Sequence, residues 1–190
     1  MTSQIDRVRP PETQMVGEKV SAVAAQNKTA DYTVYVGIGS NLGDRVMHIQ
    51  DACEQLLQVS GIERLSCSPL YESTPMGPAV QPDYANAVCR FSTTLEAHAL
   101  LDILQAIEVL HGRVRSTERW TARPLDLDLL LYGNSTIATE RLQVPHPGMP
   151  LRSFVLRPLF DLAPDLNIPG FGVLADLLIE AEDFGIQRLH

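Results

Sequence analysis

The sequence predicts an α+β fold of ferredoxin-like order, β-α-β-β-α-β: an antiparallel sheet with packed helices and extra C-terminal helices. Three observations carry this prediction. Apolar and small or polar residues alternate with period two from Tyr32 to Gly39, as in a half-buried strand. Apolar residues recur at helical spacing over 46–57 and 100–110. Two Pro/Gly-rich stretches, 74–82 and 145–150, divide the remaining periodic segments.

Taken in order, residues 1–31 are polar, contain Pro10-Pro11 and balance basic against acidic side chains. They read as a flexible N-terminal tail, and 32–190 as the folded domain. The first strand starts at Tyr32, with Val34, Val36 and Ile38 on one face. Gly39-Ser40-Asn41-Leu42-Gly43-Asp44 forms a turn with helix-capping residues, and Val46, Ile49, Cys53, Leu56 and Leu57 line the first helix up to Gly61. Residues 62–73 read as a second strand and 84–93 as a third. Thr93 with Glu96 resembles a capping box. The next helix buries Leu100, Leu101, Leu104, Ile107 and Leu110 and stops at Gly112. A strand over 126–132 follows, and short helices are expected near 154–162 and 173–181.

Composition narrows the function. A chain of 190 residues suits one domain with a substantial core, and 45% hydrophobic with 20% charged residues is ordinary for a soluble protein. The net charge of −8 gives no reason to expect nucleic acid or an anionic membrane as partner. No apolar stretch is long enough to cross a bilayer, and the N-terminus lacks a secretory signal, so a cytoplasmic location is expected. Cys53, Cys67 and Cys89 are scattered and odd in number, which reads as reduced core thiols and not as disulfides or a zinc site.

The run from Arg119 to Tyr132 carries the chemistry. In a strand, Asp126 and Asp128 point the same way, while Leu125, Leu127 and Leu129 point into a core. Adjacent carboxylates repel unless cations sit between them. A divalent metal pair bridged to a polyphosphate supplies that charge. Arg113, Arg115, Arg119 and Arg123, opposed only by Glu118, form a basic island that suits a nucleoside triphosphate. This is the logic of phosphoryl transfer. Tyr84 and Asn86 share a strand face, where an aromatic ring and an amide could stack on and hydrogen-bond a flat heterocycle. Gly37, Gly39 and Gly43 lack dinucleotide-loop spacing, and no Gly-Lys-Ser/Thr phosphate loop occurs. They are expected to permit a tight strand-to-helix turn close to a ligand. Trp120 suits either a nucleotide cap or a loop anchor.

These motifs, in order, resemble the 6-hydroxymethyl-7,8-dihydropterin pyrophosphokinase family. The matching runs are Gly37-Ile38-Gly39-Ser40-Asn41-Leu42-Gly43, Gln81-Pro82-Asp83-Tyr84-Ala85-Asn86-Ala87, Glu108 with Gly112-Arg113-Val114-Arg115, the arginine–aspartate signature, and Val144-Pro145-His146. The resemblance implies transfer of pyrophosphate from ATP to the pterin hydroxymethyl, releasing AMP, in tetrahydrofolate biosynthesis. It implies two magnesium ions on Asp126 and Asp128, with Arg113, Arg123 and His146 completing the catalytic set. It assigns ATP to Gln105, Glu108, Arg115, Trp120, Leu129, Arg141, Gln143 and Arg152. It assigns the pterin to Ser73, Pro75, Met76, Tyr84, Asn86 and Phe154.

Three positions depart from the family pattern. Thr121 stands for glycine or alanine and is expected to stiffen a mobile loop. Pro147 stands for a tyrosine, and Ser116 for a lysine, of some members. A monomer is the default expectation. Two competing readings are a catalytically degenerate pterin- and ATP-binding regulatory paralogue and a nucleotidyl transferase that releases pyrophosphate.

Overall fold

The computed structural model describes residues 31–76, 80–113 and 122–189. The chain divides into two units, Met1–Ala30, which lies outside the described residues, and Asp31–His190. In the second unit, β1 (Tyr32–Ser40), α1 (Arg45–Leu57), β2 (Ile62–Cys67), β3 (Tyr71–Ser73), β4 (Tyr84–Thr93), α2 (Ala97–Leu110) and β5 (Asp126–Tyr132) follow one another. The main sheet has the order β10-β3-β4-β1-β5, with β2 also paired to β4 and β10 (Gln187–Arg188) on one edge. Every pairing in it is antiparallel. This is the predicted α+β, ferredoxin-like arrangement.

Alternation along the central strands builds two apolar layers. Val34, Val36 and Ile38 of β1, Cys89 and Phe91 of β4, and Leu127 and Leu129 of β5 pack against Ile49, Ala52 and Leu56 of α1 and Leu100 and Leu104 of α2. The opposite face meets the C-terminal segment. Tyr35, Val88, Leu130 and Leu131 pack there with Val155, Leu156 and Leu159 of α3 (Ser153–Leu162) and Leu174 of α4 (Leu174–Glu180). Tyr71 Oη donates to Asp161 Oδ2 at 2.5 Å and ties α3 to β3. Two small hairpins complete the fold: β6 (Ile137–Ala138) with β7 (Gln143–Val144), and β8 (Asn167–Ile168) with β9 (Gly172–Val173). A 3₁₀ turn, Met149–Leu151, leads into α3.

Several local expectations change. The strand read over 62–73 is two strands broken at Ser68-Pro69-Leu70, because Pro69 has no N–H for the ladder. Ser68 Oγ instead accepts the Val88 N–H at 3.0 Å across the gap. The capping box does not form: Thr93 Oγ1 bonds Gly61 O and Leu95 N, and Glu96 occupies the N-cap without a side-chain bond. Asp44 does cap α1, accepting from Met47 N at 3.0 Å. Leu110 and Leu57 are exposed, at 77% and 51%, since each helix turns its last residue beyond the sheet. The cysteines, distant in sequence, converge in space, with Cys89 buried and Cys67 exposed.

Candidate active site

Strand register lays out the floor of the site. Asn86, Gly39 and Asp126 form one row across β4, β1 and β5, and Val88, Gly37 and Asp128 form the next. The row faces α3, away from the helices α1 and α2. Glycine in the middle strand keeps this floor open. A Cβ on Gly39 would touch Asn86 Oδ1 and Tyr84 Cδ1 at 3.6 Å, and one on Gly37 would touch Leu130 Cδ2 at 3.4 Å. Any longer side chain would project into the space above.

That space is a cavity of about 510 Å³. Tyr84, Asn86, Ser73, Met76, Phe154, Arg152 and both aspartates line it. Asn86 is buried, and its Nδ2 donates to Ser73 Oγ at 2.9 Å and Tyr71 O at 3.4 Å. Both amide hydrogens are thereby used, and Oδ1 is left as the acceptor. Phe154 is held edge-on by Phe184, with centroids 5.2 Å apart and planes at 70°.

A second cavity of about 740 Å³ adjoins the first. Gln105, Glu108, Leu129, Arg141, Gln143 and Pro147 lie on its wall. Arg113, Arg123, Asp128 and His146 line both cavities.

The shared wall is strongly charged. Arg113 Nη1 donates to Asp126 Oδ1 at 2.6 Å, and Arg123 Nη1 reaches the same oxygen at 2.9 Å. Glu108, only 5% exposed, accepts from both the Leu127 N–H, at 2.8 Å, and Arg113. It therefore fastens α2 to β5 and aims Arg113. Burial pushes its carboxyl up to about 7, against the opposing pull of the Leu127 N–H and Arg113. Asp128 is less well compensated. Its Oδ2 lies 3.9 Å from His146 Nε2 and 3.8 Å from Arg152 Nη1, beyond hydrogen-bond reach. Desolvation and the neighbouring Asp126 charge raise its pKa. His146 accepts the Gly148 N–H at Nδ1, at 3.2 Å, while burial lowers its pKa. The neutral ring thus carries its proton on Nε2, toward Asp128. Two adjacent carboxylates, one of them short of partners, with hard oxygen donors on an open wall, fit a divalent cation such as magnesium.

Asn41 joins the loops around the site. Its Nδ2 donates to Gln81 Oε1 at 3.1 Å and Pro82 O at 3.2 Å, and its Oδ1 accepts the Arg123 N–H at 2.7 Å. One buried amide therefore holds the approach to Tyr84 and the approach to Asp126 together.

The sequence pattern of the 7,8-dihydro-6-hydroxymethylpterin-pyrophosphokinase family matches residues 35–164. The chain is 43% identical to a Haemophilus influenzae protein named 2-amino-4-hydroxy-6-hydroxymethyldihydropteridine pyrophosphokinase, over 83% of this chain and 98% of that one. It is 47% identical to a Pseudomonas aeruginosa protein of the same name, over 82% of this chain and 96% of that one. The chain belongs to this pyrophosphokinase family. In fold it is similar to Plasmodium falciparum HPPK-DHPS, crystallised with pterin and p-hydroxybenzoate. The TM-score is 0.65 at 12% identity, covering 87% of this chain and 49% of that one.

Within this pyrophosphokinase-family domain, the residues singled out in the sequence fall into groups. Ser73, Met76, Tyr84, Asn86 and Phe154 share the first cavity, and Pro75, from the same segment, is not on its wall. Gln105, Glu108, Leu129, Arg141 and Gln143 share the second. Arg152, grouped with the nucleotide residues, instead lines the first cavity near Asp128, packed over Gly148 where a Cβ would lie 2.8 Å from its Cζ. Arg141 pairs with Asp102 at the rim. Arg115, Ser116, Trp120 and Thr121 lie outside the described residues. Sequence reasoning missed the bridging role of Asn41; the signal was an asparagine directly after a strand end, inside a glycine-bounded turn. Among the described residues, no helix is long and apolar enough to cross a membrane.

Proposed function

We propose that this chain transfers the pyrophosphoryl group of ATP to the hydroxymethyl of 6-hydroxymethyl-7,8-dihydropterin, giving AMP and the pterin diphosphate, in folate synthesis. The observation that carries the reading is a pair of adjoining cavities sharing a wall of Arg113, Arg123, Asp128 and His146. A two-substrate transfer needs such a shared wall where the reacting groups meet.

The first cavity takes the pterin. Tyr84 and Phe154 offer aromatic faces to a flat ring, and Asn86 Oδ1 accepts from an N–H on its edge. The open floor over Gly37 and Gly39 lets that ring lie close to the sheet. The second cavity takes ATP, with Gln105, Arg141 and Gln143 around the nucleoside end. Arg113 and Arg123, now on Asp126, turn to phosphate oxygens when the nucleotide enters, and the Nε2–H of His146 donates to a phosphate oxygen. Glu108 keeps Arg113 and β5 in place through that exchange. Asp126 and Asp128 would hold two magnesium ions, which when bound would supply positive charge against the triphosphate. Residues 32–190 form the working unit, a cytoplasmic monomer, and residues 1–31 are a tail outside the chemistry.

The test is AMP formation from ATP and magnesium, with and without the pterin alcohol. Pterin-dependent AMP with a diphosphorylated pterin supports the reading. Release of pyrophosphate in place of AMP would indicate attack at the α-phosphorus. Binding of both ligands without AMP would identify a regulatory paralogue.

A further inference from the structure

The three cysteines lie on three different elements: Cys53 on α1, Cys67 at the end of β2 and Cys89 within β4. β2 and β4 pair with Cys67 opposite Cys89, so both side chains project to one side of the sheet. That side is the one α1 covers, and Cys53 meets them from the helix. Its Sγ lies 3.2 Å from Cys67 Sγ and 3.3 Å from Cys89 Sγ, and all three sulfurs fall within 4.8 Å of one another. Among the described residues this is the one group of three cysteine, histidine or acidic side chains whose donor atoms converge this closely. None of the three lines either substrate cavity.

The arrangement exceeds what core packing needs. Apolar packing would be served by alanine or valine at these positions. Three thiolates bonded to one cation at about 2.3 Å stand about 3.8 Å apart, so a shift of about half an ångström opens this trio around an ion. Burial is graded across the group, from Cys89 through Cys53 to Cys67, which is exposed. The trio therefore meets solvent on the Cys67 side.

We propose that Cys53, Cys67 and Cys89 form a three-thiolate site for one soft, thiophilic cation of the zinc class, its fourth position open to solvent beside Cys67. Soft sulfur ligands discriminate against magnesium, so the site is separate from Asp126 and Asp128 in ligand chemistry as well as place. Binding takes the cysteines as thiolates and releases the protons of those that were thiols to solvent. The bound ion cross-links α1 to the β2–β4 pair, and its effect is on stability and not on turnover.

The experiment uses the full chain, reduced and freed of metal, titrated with cadmium(II) as the probe. The expected result is a sulfur-to-cadmium charge-transfer absorption in the near ultraviolet that saturates at one equivalent, with a rise in thermal midpoint. Cys67→Ser is expected to weaken binding about a hundredfold or more, while its metal-free melting curve stays that of the parent. Cys53→Ser, at a half-buried position, is a second variant with the same expected loss. Asp126→Ala is expected to leave the absorption unchanged. Absence of the band in the parent chain, or a band undiminished in both cysteine variants, overturns the proposal. Neither outcome depends on AMP formation, so the test is independent of the pyrophosphokinase reading.

Discussion

The two faces of the central sheet are made from the same strands and are chemically opposite. On the α1/α2 face, Val36 and Ile38 are buried against leucines, and Leu127 and Leu129, buried in the same layer, also back the second cavity. On the α3 face, one residue along, stand Gly37, Gly39, Asp126 and Asp128. The first face is dry at its centre and meets solvent at its margins, at the second cavity and at Cys67. The second admits water, and concentrates like charges that would be costly in a core. A period of two residues is enough to separate rigidity from chemistry, because the face that is packed holds the strands in the register that aligns the other. The stable face is thus what lets the strained electrostatics of Asp126 beside Asp128 persist.

Substitutions should separate the faces cleanly. The largest effect is expected from Asp128→Ala or Asp126→Ala, each lowering the rate of AMP formation about a thousandfold at saturating magnesium. The thermal midpoint should hardly move, and near-full turnover in either variant would remove these carboxylates from the mechanism. Next is Leu104→Ala on the packed face, where a fully buried side chain leaves a cavity. Chemical denaturation should show a loss of about 3 kcal/mol, with the rate per folded molecule retained. A collapse in rate without loss of stability would break the division of labour.

Smaller effects sharpen the comparison within the active face. Asn86→Ala should lower kcat/KM for the pterin alcohol about thirtyfold, through a lost hydrogen bond and unpaired neighbours, and leave the KM for ATP alone. Equal effects on both substrates would mean that the two cavities are not separate subsites. Asp44→Ala is the smallest. It removes the α1 cap, and the expected loss is about 1 kcal/mol in a denaturation curve, with unchanged steady-state kinetics.

Much of this was legible in the chain. The strand over 84–93 agrees at both ends with β4, and Asp126 with Asp128 share a face as their spacing requires. The illegible parts share a cause: they depend on partners distant in sequence. A bulge between β1 and β5 leaves Leu130 without a partner, so Leu130 and Leu131 both reach the α3 side and strict alternation fails. Leu110 continues a helical stripe but extends past the sheet it would pack on. Thr93 finds Gly61 O, 32 residues away, in place of a local cap.

What the sequence determined by itself is periodic and local. Which residues alternate, where α1 is capped, and that two carboxylates must stand together on one strand all follow from spacings of two to four residues. The tertiary structure decided what those residues meet. Only strand register sets Asn86, Gly39 and Asp126 in one row, only the packing of α2 on β5 brings Glu108 to the Leu127 N–H and Arg113, and only the meeting of α1, β2 and β4 gathers three cysteines. Local spacing follows from backbone geometry, whereas these encounters follow from burying one face of each element against another.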